Sequence, residues 1–211
     1  MLDNYAPSYI LVGMMQRDPE KTKQAILEAA MQEIHCKGFR SASLSGILNE
    51  TGLTRGALYH HFPNKKELGL AVLDVVQAEM ESMWLEPIRG HHDPISAIQR
   101  TLSEEVGKLT EEDIVMGCPL NNLAQEMSPM DEDFRTKIVN IYYILRMGVA
   151  AALQQGLDRG TVREGVNPES AATFFVGALN GGRGLAKAVQ RSDVLLMAAR
   201  ELHGWLEGMR T

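Results

Sequence analysis

The chain has 211 residues, of which 45% are hydrophobic, 23% charged and 6% aromatic, a composition that excludes a disordered or collagen-like protein. Its net charge of −6 argues mildly against nucleic-acid binding, for which a basic surface is expected. The charge is unevenly distributed, however, because residues 21–70 hold seven Lys or Arg and four Asp or Glu, whereas the remainder holds 14 and 23. A segment of net charge +3 thus accompanies a remainder of −9, which indicates an acidic partner at one end only.

The two cysteines, Cys36 and Cys118, are 82 residues apart, a separation that matches neither a zinc site nor a disulfide framework. A cytoplasmic location is therefore expected, and no metal or other cofactor is predicted. No apolar run approaches the roughly 18–20 residues of a membrane span, so no membrane partner is expected either. Residues 1–18 are predicted to form a flexible N-terminal tail.

Apolar residues recur at spacings of three and four throughout the chain, and this pattern predicts an all-α protein of about nine helices. Caps such as Thr54 and Asn64, and stops such as Gly38 and Gly52, set the helix ends. Residues 111–113 are expected to form a loop. The predicted helices cover residues 19–37, 43–50, 55–61, 65–85, 94–109, 119–127, 131–158, 168–188 and 193–208, the last of them capped by Ser192 or Asp193.

The second and third predicted helices, joined by the turn Thr51-Gly52-Leu53, form the pattern of a helix-turn-helix. With Leu58 facing inward, Arg55 and Gly56 lie at the outer start of the third helix. There the guanidinium can reach guanine O6 and N7 while the glycine lets the backbone come close. Hydroxyl, imidazole and ammonium groups nearby can contact phosphate. The candidate DNA-binding residues are Ser43, Ser45, Thr54, Arg55, Gly56, Tyr59, His60, His61 and Lys65.

Residues 23–70 resemble the DNA-binding domain of the tetracycline-repressor (TetR) family. The matching stretches are residues 25–30, Lys37-Gly38-Phe39, residues 51–62 and residues 63–68, in order and without a gap. The chain departs from the family at Ala42, where Thr is frequent, and this moves the expected phosphate contact to Ser43 and Ser45.

The resemblance implies an all-α protein with an N-terminal three-helix helix-turn-helix domain and a helical domain that binds ligand and forms the dimer. In this chain the two would cover residues 19–66 and 67–211. It further implies a transcriptional regulator, most simply a repressor, that binds a near-palindromic double-stranded operator as a homodimer and responds to a small-molecule effector. No nucleophile elbow, phosphate loop or paired-histidine metal motif stands in the sequence, so no enzyme is predicted.

The resemblance also places an effector pocket among the middle helices and a dimer interface on the last two. The pocket candidates are Met80, Trp84, Met116, Cys118, Asn122, Gln125, Met127, Tyr142, Tyr143 and Met147, with Arg146 or Arg183 as a polar anchor. The interface candidates are Phe174, Phe175, Ala178, Gly182, Leu185, Leu195, Leu202 and Trp205. Ordinary core packing is the alternative for each pocket residue.

Cys118 lies in the stretch Gly117-Cys118-Pro119-Leu120, which resembles the opening of the sixth helix in one branch of the family. Thiols at helix N-termini can react with oxidants and electrophiles, so a redox-sensing repressor is one alternative function. A small buried apolar residue is the simpler interpretation of the cysteine. A thiol enzyme or ligand carrier that uses Cys118 with His91 or His92 is the third possibility, and it leaves the basic segment unexplained.

Overall fold

In the computed structural model, which describes residues 18–211, ten α-helices follow one another along the chain. They are α1 Pro19–Lys37, α2 Leu44–Thr51, α3 Arg55–His61, α4 Lys65–Met80, α5 Pro94–Gly107, α6 Glu111–Met116, α7 Pro119–Met127, α8 Glu132–Asp158, α9 Pro168–Val189 and α10 Ser192–Glu207. The all-α prediction of about nine helices is confirmed. The additional short helix is α6, where a loop was predicted: Thr110 and Asp113 form a capping box that starts it.

Side-chain caps fix most of the helix starts where the sequence predicted them. Ser43, Thr54, Asn64, Asp93 and Asn167 each accept a hydrogen bond from a backbone N–H three residues further on. These bonds satisfy N–H groups that have no partner inside the helix.

Two predicted boundaries need correction. Asp18, assigned to the tail, caps α1 by accepting a hydrogen bond from the Glu20 N–H, and the rest of the predicted tail lies outside the described residues. Arg191, rather than Ser192 or Asp193, precedes α10, and its guanidinium pairs with the Asp193 carboxylate. This helix therefore begins without the predicted side-chain cap.

The first three helices form a small unit, here called the head, which carries the helix-turn-helix. Ile26 and Ala30 on α1 are fully buried, and Ile47, Leu58 and Phe62 from α2 and α3 pack into the same core. This agrees with the predicted inward face of each helix. The outer faces of α2 and α3 are consequently free of core packing.

The head continues into the rest of the chain, here called the body (α5–α10), through α4 without a linker. The predicted domain boundary after residue 66 falls within the first turn of this helix. After Met80 the helix passes into a π-helical turn, Glu81–Leu85, and a 3-10 turn, Glu86–Ile88. Such π turns place one extra residue in a helix and occur often at functional sites.

In the body, α8 is the central helix, and α9 and α10 form an adjacent pair. A Cβ atom on Gly182 would lie 2.9 Å from the Cβ of Ala198, so the glycine permits α9 and α10 to approach closely. Four candidates for the dimer interface are instead buried within the chain itself: Phe175, Gly182, Leu195 and Leu202. The pair of helices α9 and α10 has an internal core as well as an outer face, and the sequence pattern alone did not show which apolar residues belong to each.

In the part of the chain that the structure describes, two kinds of feature are absent: membrane-spanning helices and groups of metal-binding side chains. Within residues 18–211 no helix is both long and apolar enough to cross a bilayer. Over the same range no three His, Cys, Asp or Glu side chains are grouped so that they could hold a metal ion.

Candidate nucleic-acid interface and effector cavity

The helix α3 presents its first residues and one side to solvent. Arg55, Gly56, Tyr59 and His60 are all exposed, and a Cβ atom on Gly56 would approach only the Thr54 hydroxyl, at 4.0 Å. The backbone at Gly56 is therefore open to a large partner such as a DNA groove. These four residues are among those that the sequence predicts to contact DNA.

The turn before α3 depends on Gly52, whose φ of 62° lies in the left-handed region. The Thr51 hydroxyl donates to the Ile47 carbonyl and accepts from the Leu53 N–H. The turn is thereby tied to α2, which fixes how α3 projects from the head. At the other end of α3, His61 is half-buried, and its ring contacts the ring of His60 edge-on.

Two predicted phosphate contacts have structural roles of their own. The Ser43 hydroxyl accepts from the Gly46 N–H at 3.0 Å and donates to Glu33 Oε1 at 3.2 Å, so its bonding capacity is largely used. Ser45 is exposed and is the better candidate. Lys65 Nζ donates to the Arg40 carbonyl at 3.1 Å, and burial lowers the pKa of Lys65. Its ammonium has three protons and keeps donors for a phosphate.

A set of contacts between head and body, here called the clasp, was not predicted. The Glu126 carboxylate on α7 accepts from the Phe39 and Arg40 backbone N–H groups, at 2.8 Å each. His35 Nε2 on α1 donates to the Gly117 carbonyl at 2.9 Å. These five residues join α1 and the turn after it to the two ends of the segment 117–126. A lone acidic residue on a short helix gives no sequence signal for such a long-range contact.

The protonation state of His35 follows from its surroundings. Burial lowers its pKa, the positive charges of Lys187 and Arg183 lower it further, and the bond to Gly117 opposes them. The imidazole is therefore neutral at pH 7 and uses its single N–H on the carbonyl. Because the folded-state pKa lies below the unfolded value, protonation favours unfolding, and this contribution to stability declines as the pH falls below about 6.5.

The glycine at the clasp is required by its conformation and its neighbours. Gly117 has a φ of 76°, and a Cβ there would lie 2.7 Å from Lys187 Cδ. Lys187 Nζ donates to Asn122 Oδ1 at 3.0 Å, and Asn122 Nδ2 donates to the Met116 carbonyl at 2.8 Å. Met116 and Asn122, predicted for the pocket, thus hold the turn between α6 and α7 instead.

A cavity of about 40 Å³ lies between α4, the start of α7, α8 and α9. Trp84 and Phe175 meet in its wall edge to face, with ring centroids 6.3 Å apart. The lining residues that the sequence predicted are Met80, Trp84, Cys118 and Arg183. Those it missed are Leu120, Leu145, Val149, Phe175, Val176, Leu179 and Asn180. The missed residues on α8 and α9 form three pairs four residues apart, which is also the spacing of an ordinary core.

Several predicted pocket residues do not line this cavity. Gln125 and Tyr143 are exposed on the surface, and Met127 is buried in the core. Arg146 Nε donates to the Thr173 hydroxyl at 3.0 Å, which holds α8 to α9. The other two, Tyr142 and Met147, are half-buried on α8 and are not among the lining residues.

Tyr142 is nevertheless close to the lining. Burial raises the pKa of its phenol, and the neighbouring Cys118 raises it further. The phenol therefore stays neutral at physiological pH and can act as a hydrogen-bond donor behind Cys118.

Two pieces of chain connect the cavity to the head. Cys118 lines the cavity and directly follows Gly117, whose carbonyl binds the head. Met80 and Trp84 line the cavity from the far end of the helical segment that begins at Lys65, beside α3. The cavity wall and the head are therefore linked through continuous chain.

Glu126→Ala is expected to lower the free energy of unfolding by about 1–3 kcal/mol, because it leaves the part-buried Phe39 N–H without its acceptor and exchanges the exposed Arg40 hydrogen bond for one to water. The midpoint temperature of thermal unfolding should fall by roughly 2–4 °C for each kcal/mol lost in a chain of this size. The backbone amides of Phe39 and Arg40 should also exchange hydrogen faster. Gln125→Ala, one residue away and exposed, is the control and should change neither property. Equal melting temperatures for the two variants would contradict this role of the clasp.

Comparison with known proteins agrees with this geometry. The family model described as "Bacterial regulatory proteins, tetR family" matches residues 26–72, and "Tetracyclin repressor-like, C-terminal domain" matches residues 94–202.

An uncharacterized HTH-type transcriptional regulator from the lacX 3′ region of Lactococcus lactis is 31% identical over 175 residues, which cover 82% of this chain and 87% of that protein. The repressor AcnR of Corynebacterium glutamicum is 28% identical over 77% of this chain and 80% of its own. A TetR regulator from Chloroflexus aurantiacus superposes with a TM-score of 0.80 at 23% identity, over 92% of this chain and 98% of that one. The chain therefore belongs to the TetR family of bacterial transcriptional regulators, and its helix-turn-helix is a DNA-binding module.

Proposed function

We propose that this regulator is a ligand-responsive repressor that binds a near-palindromic operator as a homodimer in the cytoplasm and changes its DNA affinity when a small effector enters the cavity. The observation that carries the proposal is the shared chain between cavity and head: Cys118 lines the cavity while the adjacent Gly117 binds His35. The repressor assignment is supported by the relative AcnR, which is named a repressor.

In the proposed complex, α3 enters the major groove with its N-terminal end foremost. Arg55 reads a guanine, and Gly56 allows the backbone to approach the bases. Tyr59 and His60, exposed one turn later, contact phosphate and so fix the register without specifying sequence. The acidic body, with its excess of Asp and Glu, is repelled by the DNA backbone, which favours docking through the head alone.

The proposed dimer uses the outer faces of α9 and α10. Phe174, Leu185, Val189, Leu196 and Met197 are each at least half exposed although they are large and apolar. Trp205 and Ala178, both half-buried candidates, lie on the same pair of helices. Pairing this face with its copy removes the apolar surface from water and gives a symmetric dimer. The two heads then read half-sites about 34 Å apart.

In the proposed response, an effector that widens the cavity displaces α4 and the start of α7, and the clasp transmits this displacement to the head. The separation of the two α3 helices changes, and operator affinity changes with it. By linkage, the operator must weaken effector binding by the same coupling free energy.

A mobility-shift assay with the DNA that flanks the gene tests the proposal. We expect a retarded complex whose formation depends on sequence and salt and whose stoichiometry is two chains per site. Retardation of every DNA fragment alike, with no preferred sequence, would count against a specific operator.

A second candidate, a repressor that senses oxidants or electrophiles, is favoured by one observation. Cys118 precedes α7, is 6% exposed and lines the cavity, so a small reagent that enters the cavity meets the thiol. Cys118→Ser is then expected to abolish the release of DNA by peroxide or quinones while basal binding stays unchanged. Release that persists in the variant would exclude the thiol as the sensor, and exposed Cys36→Ser serves as the matched control.

A further inference from the structure

The cavity holds a charged side chain in a largely apolar wall, and we propose that it binds a small carboxylate whose charged group contacts Arg183 and whose short apolar body packs against Trp84 and Phe175. The inference rests on the proposed function, because it names the chemical class of the effector. It follows from three properties of the cavity: an unpaired cation, an aromatic wall and a small volume.

Arg183 brings positive charge to the cavity without a partner of its own. Over residues 18–211 no carboxylate forms an ion pair with its guanidinium. The Asp113 carboxylate lies within electrostatic range of Arg183, but it already accepts hydrogen bonds from the Thr110 N–H at 2.8 Å and from the Thr110 hydroxyl at 2.7 Å. Lys187, one turn further along α9, adds a second positive charge nearby. The local potential therefore favours an anion and disfavours an amine.

The guanidinium suits a carboxylate in particular, because its planar fork donates two parallel hydrogen bonds to two oxygens. Asn180 lies beside it in the lining. Its Nδ2 donates one proton to the Val176 carbonyl at 2.8 Å, and its second proton remains available to the ligand. The two side chains together supply donors for both oxygens.

The rest of the wall is apolar. Trp84 and Phe175 meet at an interplanar angle of 69°, and Leu145 and Val149 line the cavity from α8. Apart from the Trp84 indole N–H and the Cys118 thiol, the side chains in this part of the wall cannot pair with a second polar group on the ligand, so an unpaired hydroxyl or amine there would be costly. A hydrocarbon tail loses water and gains contacts in the same place.

The volume of the cavity limits the size of the ligand. A water requires about 10–15 Å³ by the measure in which this cavity has about 40 Å³, so the space corresponds to on the order of three waters. A carboxylate with a two- or three-carbon tail is the largest class that enters with only small movements of the wall.

The test is calorimetric titration of the full-length protein with propionate and butyrate, and with their neutral isosteres propionamide and butyramide. We expect the carboxylates to bind at least about tenfold more tightly than the amides. Arg183→Gln should remove this difference, Arg183→Lys should keep part of it, and Arg146→Gln, whose guanidinium bonds to Thr173, should keep all of it. Thermal unfolding of each variant verifies that it is folded.

Equal affinity for carboxylates and amides, no binding of any of the four compounds, or a preference that survives Arg183→Gln would overturn the inference. A parallel mobility-shift assay separates it from the proposed function. Carboxylate binding that leaves DNA affinity unchanged would support the inference and contradict ligand response. DNA release by the amides alone would support ligand response and contradict the inference.

Discussion

Arg55→Ala is expected to reduce strongly the preference of the protein for operator over random DNA. A bidentate contact from arginine to guanine contributes roughly 1–3 kcal/mol of discrimination, and a dimer makes the contact twice, so the combined loss is roughly 2–6 kcal/mol. Arg55 is the first residue of α3 and is exposed, so its removal leaves no cavity and no unpaired buried group. The measurement is fluorescence anisotropy with an operator and a scrambled duplex, at several salt concentrations.

The control for this experiment is Arg100→Ala, an exposed arginine on α5 in the acidic body. It removes the same charge without touching the head, and operator affinity should stay within about a factor of two because exposed substitutions usually change little. Specific binding that survives Arg55→Ala intact would show that another residue reads the bases.

Leu185→Glu is expected to convert the protein to a monomer and to reduce operator affinity by at least about a hundredfold, since the second head no longer binds through an effectively intramolecular step. Leu185 is 62% exposed at the outer face of α9, so the substitution does not disturb the core of one chain. In a symmetric dimer it would bury two carboxylates at one interface without partners, which is costly. Sedimentation equilibrium measures the mass directly.

Val139→Glu provides the matched control, because Val139 is 61% exposed but lies on α8, away from the proposed interface. This variant should remain dimeric and bind the operator normally. A Leu185→Glu protein that remains a dimer would move the interface to another surface of the molecule.

The local features of the fold were predictable from the sequence because they are determined by neighbouring residues. Thr54 and Asn64 cap helices through bonds to N–H groups three residues away, and Gly52 ends α2 through its own backbone conformation. The helix-turn-helix combines such signals in a fixed order. Its position, its inward face and its exposed face could therefore all be predicted.

The site within the body could be predicted only in part, because it depends on contacts between distant segments. Phe175 follows the same helical spacing whether it faces a dimer partner or the cavity, and only the packing of α9 against Trp84 settles which. Glu126 reaches residues 86 and 87 positions away along the chain. No periodicity in one helix contains that information, so the clasp emerged only from the three-dimensional arrangement.

The measurement that tests the account most directly is selection of binding sites from random DNA by the purified wild-type protein. We predict an enriched near-palindrome whose half-site centres lie about one helical turn, or 34 Å, apart, bound by two chains, and an enrichment that falls sharply with Arg55→Ala. Failure to enrich any sequence, or enrichment of a single half-site bound by one chain, would contradict it.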